Sequence, residues 1–273
     1  MFTGRSRQWT RRRVLVGGAA LVAGAAAVDA FGVEPRWLEV ELISHAVEGL
    51  PASLQGLRIA QITDAHLTSL GRVEDRILES IVAAAPQVVA LTGDMIDDEA
   101  DTSVLAELCA ALAGTGAKVV STLGNWEHWG ALDLAALREV YAKTHTTLLV
   151  DDWLEVEGVS LYASDDSTAG SPAAIAAPGR EGPRVLLTHS PAFVDRDHGE
   201  AAFDLCLSGH THGGQITAAG LAPFTPPGSG DYVAGWYDTT IGPMYVSRGT
   251  GTSIVPARFT CRPELPIIEL VRA

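Results

Sequence analysis

The chain has 273 residues, 47% of them hydrophobic and 19% charged, with a formal net charge of −14. That is enough apolar material for one large domain or two small ones, and it excludes a disordered, collagen-like or disulfide-dense chain; no fixed period marks a solenoid or propeller. So acidic a protein repels nucleic acid and anionic headgroups at long range, and any phosphate it handles must be attracted locally, as bound cations would do.

The first thirty residues stand apart. Arg5, Arg7, Arg11, Arg12 and Arg13 precede an apolar run over 14–28 that ends at Val28, Asp29 and Ala30, a small-residue cleavage pattern. Thr10 to Leu15, with its three consecutive arginines, resembles the twin-arginine export signal. Residues 1–30 are expected to be a signal peptide, and 31–273 one functional domain in the periplasm or at the cell surface. A membrane anchor facing outward is the alternative; the Gly- and Ala-rich run falls short of the roughly 20 apolar residues that span a bilayer. Removing these residues takes away five arginines and Asp29, and the net charge goes from −14 to −18.

Downstream, 37–43 alternates like a strand and 57–62 reads as a more buried one. Residues 72–84 set Val73, Ile77 and Ile81 on one helical face, and Pro86 stops that helix. A strand over 88–91, a helix over 103–112 with Val104, Leu108 and Leu112 aligned, a strand over 118–123 and a helix over 131–142 continue the alternation. Parallel strands with helical crossovers follow for the first half. The second half is richer in strands, at 148–150, 154–156, 160–163, 185–187, 203–207, 244–246 and 267–270, with surface loops over 166–183 and 221–238. The fold class is α/β, two stacked mixed β-sheets flanked by helices in one domain. Cys109, Cys206 and Cys261 lack metal-type spacing and are expected as buried structural thiols.

In open α/β sheets, ligands bind beyond the carboxyl ends of strands. Five predicted strand ends here carry metal-type side chains. Asp64-Ala65-His66 follows the second strand, Gly93-Asp94-Met95-Ile96-Asp97 the third, and Gly124-Asn125-Trp126-Glu127-His128 the fourth. His189 and the run Gly209-His210-Thr211-His212-Gly213-Gly214 follow later ones. Each piece alone matches ordinary turns and caps; the ordered set is specific.

That set resembles the calcineurin-like metallophosphoesterases, whose blocks run Asp-x-His, Gly-Asp-x-x-Asp, Gly-Asn-His-Asp/Glu, a lone His, and Gly-His-x-His. The tail from Tyr245 to Glu264 is similar to the exported or membrane-attached bacterial branch of that family. The resemblance implies two divalent ions of the Mn, Fe, Zn or Co type. Asp64, His66 and His212 would bind the first, Asn125, His189 and His210 the second, and Asp94 both. It also implies hydrolysis of a phosphomonoester or phosphodiester by a metal-bridging hydroxide. The substrate expected is a small-molecule or lipid phosphoester, such as an envelope phospholipid or sugar-nucleotide, with no nucleic acid as partner. A non-catalytic metal-binding scaffold of the same fold is the alternative.

One position departs from the family. Trp126 stands where the third block has the His proposed to protonate the leaving group, and His128, oriented by Asp97, is the expected substitute. Arg248 is expected to grip substrate phosphate, a structural salt bridge being the other reading. Trp126, Trp129, Phe224, Trp236 and Tyr237 form either an apolar wall for a lipid or nucleoside or part of the core. His45, His145 and His198 match no block and are read as ordinary polar residues.

Overall fold

The computed structural model describes residues 11–130, 132–176 and 182–273. Arg5, Arg7 and Thr10 of the expected export signal lie outside them. So do Ala131, where the third helix is expected to begin, and 177–181 of the expected loop. In chain order the helices are α1 (Arg11–Val28), α2 (Arg72–Ala84), α3 (Thr102–Gly114), α4 (Asn125–Trp129) and α5 (Leu134–Lys143). The strands are β1 (Glu39–Val47), β2 (Arg58–Ile62), β3 (Val88–Thr92), β4 (Lys118–Thr122), β5 (Thr146–Leu148) and β6 (Asp152–Val156). They continue with β7 (Val159–Ala163), β8 (Arg184–Leu187), β9 (Leu205–Ser208), β10 (Gly235–Thr239), β11 (Gly242–Val246) and β12 (Glu264–Arg272).

Two six-stranded sheets result, ordered β1-β12-β2-β3-β4-β5 and β10-β11-β9-β8-β7-β6. In the first, β2 to β5 run parallel, as the helical crossovers require. β12 breaks that run, pairing antiparallel to β2 and parallel to β1. In the second, β7, β8, β9 and β11 are parallel, and β6 and β10 are antiparallel edges.

The near-continuous apolar strands are buried on both faces, and period-two alternation sends neighbouring residues to different cores. Ile59, Val88, Ala90 and Val120 meet Leu161, Val185, Leu187 and Leu205 between the sheets. Val89 and Leu91 turn the other way, onto Ile77 and Ile81 of α2 and Leu105, Leu108 and Leu112 of α3. The outer face of the second sheet packs Leu186, Cys206 and Met244 against Phe193 and Phe203. All three cysteines are free and buried.

Several boundaries differ from expectation, each for a local reason. In α3 the face that is buried is Leu105, Leu108, Cys109 and Leu112, with Val104 only partly covered. Asp133 caps α5 by accepting from the amides of Ala135 and Ala136, so the helix starts three residues later than the apolar pattern suggests. Residues 235–238 of the expected loop belong to β10, which pairs with β11 as a hairpin. The apolar helix also continues beyond residue 28 through π and 3-10 turns to Arg36. The 22-residue stretch Leu15–Arg36, of mean hydropathy 1.7, is therefore long and apolar enough to cross a membrane, a property that signal sequences share.

Two side-chain bonds tie the carboxyl ends of the sheets together. Gln61 Nε2 donates to the carbonyl of Ser208 at 2.9 Å, and Thr122 Oγ1 to that of Ser164 at 2.7 Å. The loops after β2, β3, β4, β8 and β9 consequently open onto one shared rim.

Candidate metal centre

At that rim the chain leaves β2, β3 and β9 through left-handed backbone. Asp64, His66, Asp94, His210 and His212 all have φ between 44° and 73°. Asp tolerates this region; for His it is uncommon, and such strain clusters at functional sites. Close approach explains the neighbouring glycines. A Cβ on Gly93 would lie 2.6 Å from the amide of Gly124 and 2.7 Å from Nδ1 of His189, and one on Gly209 would strike Thr63 and Asp64.

The seven expected ligands converge into two adjoining, buried groups. In one, Asp64, His66 and His212 bring ligand atoms within 4.8 Å of one another; in the other, Asp94, His189 and His210 do so. His212 Nε2 is 3.4 Å from Asp64 Oδ1 and 3.1 Å from His66 Nε2. His189 Nε2 is 3.1 Å from Asn125 Oδ1 and 3.1 Å from His210 Nδ1. Asp94 Oδ2 reaches into both groups, 3.1 Å from His189 Nε2 and 3.9 Å from His66 Nε2.

The outward-facing ring nitrogens identify what this arrangement is built to hold. His189 Nδ1 donates to the carbonyl of Thr92 at 2.8 Å, His210 Nε2 to that of Pro227 at 2.8 Å, and His66 Nδ1 to Asp97 Oδ1 at 2.5 Å. With the outer nitrogen protonated, each neutral imidazole turns a lone pair inward. Lone pairs facing one another and a carbonyl oxygen at about 3 Å repel unless a cation sits among them. The mixed nitrogen and oxygen donors suit borderline divalent ions. Electrostatics agree. Burial works against a charged His189, yet Asp94 holds its pKa well above the ordinary value, while burial and His66 hold His212 well below. The two carboxylates thus call for positive charge that the imidazoles cannot all carry.

Two expected side-chain roles are corrected. Asp97 does not orient His128: it is bonded to His66, and His128 Nε2 is instead 2.7 Å from Asp165 Oδ1. The short helix α4 turns His128 away from the loop after β3 and toward the loop after β7. Arg248 does not point to the rim as a phosphate grip. Its guanidinium meets Glu264 at 2.8 Å, Glu39 at 3.0 Å and Glu41 at 3.2 Å, tying the loop after β11 to the first sheet.

The aromatic wall divides. Trp126, Trp129 and Phe224 line a cavity of about 500 Å³ whose floor includes Asp94, Asn125, His210 and His212. Trp236 stacks on His45 with ring centres 5.0 Å apart, and Tyr237 packs on Tyr232 beside the outer core of the second sheet.

Sequence reasoning missed two supporting groups. Glu127 is buried and accepts from the amides of Asp94 (3.0 Å), Met95 (2.7 Å) and Gly124 (2.8 Å), locking the loops after β3 and β4 together. Burial and the nearby Asp94 push its pKa up to about 7. Arg258, with no exposed surface, donates to the carbonyls of Arg248, Gly249, Gly251 and Cys261. The loop it braces packs under Asp64, whose carbonyl accepts from the amide of Gly251 at 2.8 Å. A Glu beside a metal-type block was a usable signal; a lone Arg in a polar tail was not.

Residues 57–214 match the calcineurin-like phosphoesterase family. The chain is 32% identical to the metallophosphoesterase YkuE of Bacillus subtilis over 97% of this chain and 98% of that protein. It is 28% identical to the phosphodiesterase YaeI of Escherichia coli over 96% of this chain and 99% of that one. The crystal structure of a dimetal phosphatase from Danio rerio superposes with a TM-score of 0.50 and 10% identity, covering 80% of this chain and 93% of that one; this supports the fold.

Proposed function

We infer, because the chain belongs to the calcineurin-like phosphoesterase family and is a dinuclear phosphoester hydrolase, that it cleaves phosphomonoesters or phosphodiesters outside the cytoplasm. In this reading Asp64, His66 and His212 would hold one divalent ion, Asn125, His189 and His210 the other, and Asp94 would serve both. The observation that carries it is the position of Asp94 Oδ2 between His189 Nε2 and His66 Nε2. When bound, the two ions supply a water of lowered pKa as nucleophile and positive charge for the nonbridging phosphate oxygens.

The rest falls to the chain's own groups. Asp97 and the carbonyls of Thr92 and Pro227 fix the imidazoles in the tautomer that offers a lone pair. Glu127 keeps Asp94 and Asn125 in register by holding their loops. His128, partly exposed and paired with Asp165, is the group we assign to protonate the leaving alcohol. Trp126, Trp129 and Phe224 give the cavity an apolar wall. Helix α1 serves as export signal or outward-facing anchor, with Arg11, Arg12 and Arg13 at its start as the twin-arginine element.

Metal analysis together with hydrolysis of mono- and bis-nitrophenyl phosphate in added Mn tests this reading. Wild type should bind two ions per chain and turn over at least one ester, and Asp94→Ala should lose both properties. A fully metal-loaded chain that hydrolyses neither ester would refute it.

A further inference from the structure

The cavity over the metal centre opens through a rim that a water-soluble substrate does not need. Ile254 is 93% exposed, Phe224 83% and Trp129 58%, and all three line the cavity; Leu221, in the same loop as Phe224, is 73% exposed. Ile216 and Val255 add to the same mouth. Beyond residue 40, the large apolar side chains exposed elsewhere among the described residues are only Leu42, Val82 and Trp236. A contiguous apolar patch around a polar centre marks an interaction surface. Among the described residues no Lys or Arg lines this cavity, so they offer no cationic grip for a headgroup beyond what ions at its floor would give.

The membrane-length helix leaves the domain beside this rim. The carbonyl of Ala30 accepts from the amide of Arg258 at 2.9 Å, and Glu34 accepts from the amides of Thr260 (2.8 Å) and Cys261. The same segment carries Ile254 and Val255, and Gln215 braces it through the carbonyls of Ser253 and Val255. Val255 lines the metal cavity, while Pro256, one residue on, lines an adjoining cavity with Phe31 and Pro35. Anything that holds α1 at a bilayer therefore also brings this rim to it.

We propose that the rim of Trp129, Leu221, Phe224, Ile254 and Val255 docks into the apolar layer of a lipid bilayer, and that the cavity draws from it a phosphoester carrying a long hydrocarbon chain. The substrate half of this inference rests on the hydrolase reading above. Because the surface is acidic and the rim uncharged, docking is hydrophobic, works on zwitterionic lipid and resists salt.

The test uses the full chain in phosphatidylcholine vesicles, with an environment-sensitive fluorophore on Ile254→Cys or on Glu157→Cys. The three native cysteines are buried, and the turn at Glu157 precedes β7, at the opposite end of the parallel strands. The label at 254 should shift to the blue and be quenched by lipids brominated along the acyl chain, in low and high salt alike. The label at 157 should report water. Adding Leu221→Ser and Phe224→Ser should weaken the quenching about tenfold or more. A label at 254 that stays in water on vesicle-bound protein overturns the proposal, as does one that is buried yet unquenched, which would mean a protein partner or second copy covers the rim. In parallel, wild type is assayed on dioleoyl and dihexanoyl phosphatidic acid and phosphatidylglycerol and on nitrophenyl phosphates. Turnover of nitrophenyl esters without a long-chain preference removes the lipid inference and leaves the hydrolase reading standing. No turnover on any ester removes the hydrolase reading, while the fluorescence still decides docking.

Discussion

Asp97 Oδ1 lies 2.5 Å from Nδ1 of His66, so this carboxylate serves the Asp64, His66 and His212 group. Carboxylates behind a ligating imidazole fix its tautomer and raise its basicity, and losing one typically costs about 10- to 100-fold in metal affinity. Asp97→Ala should weaken binding of an ion at the Asp64, His66 and His212 group by that amount and leave binding at the other group largely in place, as read by metal titration calorimetry. Asp97→Asn keeps an acceptor and should recover most of the loss. Equal weakening of both ions would contradict the assignment.

His128 and Asp165 form a pair with a defined pH window. The bond to Asp165 raises the His128 pKa above 6.5 against the opposing effect of burial. Burial pushes Asp165 up, but His128 and the amide of Ser171 bring it below 3.8. The raised histidine stabilises the fold fully below its ordinary pKa, and that contribution is lost as pH rises through the folded value. The lowered aspartate contributes above its ordinary pKa, and loses this as pH falls. The melting temperature of wild type minus that of His128→Gln should therefore be greatest near about pH 5 and shrink above about pH 7. A flat difference would mean the pair is not charged.

On the reaction itself, His128→Ala should slow esters with poor leaving groups by about 10²- to 10⁴-fold and nitrophenyl esters far less. Equal loss on both classes removes His128 as proton donor.

Arg248 is expected to matter for folding and not for substrate. Its removal strands Glu264, which is 1% exposed, without its cation. Breaking a largely buried pair costs about 3 kcal/mol here, at the low end because Arg248, Glu39 and Glu41 are partly solvated. Urea denaturation of Arg248→Ala should show that loss, with KM for a nitrophenyl ester within about twofold of wild type. A large rise in KM at unchanged stability would restore the phosphate-gripping role.

Arg258→Met should be destabilising by at least about 3 kcal/mol, because several buried carbonyls lose a charged donor together. Metal affinity at the Asp64 group should fall as well, since the loop under Asp64 loses its brace. A variant of native stability in urea would show that the carbonyls find other partners.

Much of the site was legible because its signals are local. A strand followed by Asp-x-His or Gly-Asp places those side chains at a strand end whatever the rest of the chain does, and the seven residues expected as ligands were all picked out that way. The alternating strands and helices of the first half were equally local. The hairpin strand β10 was hidden because its Gly, Trp, Tyr and Asp residues resemble a loop until β11 supplies a ladder to pair with. Helix α4 was hidden because five residues carry too little periodicity to register.

By itself, the order of residues determined which groups would stand at strand ends, their chemical types, the apolar face of α2, and an acidic chain led by an apolar helix. Tertiary structure alone decided who meets whom: Asp97 with His66, His128 with Asp165, Arg248 with three glutamates, and the segment after α1 with the segment that bears Ile254. The reason is physical. Backbone periodicity and turn chemistry act over a few residues, whereas hydrogen bonds and ion pairs between residues dozens to hundreds of positions apart depend on how two sheets stack, and no local pattern encodes that distance.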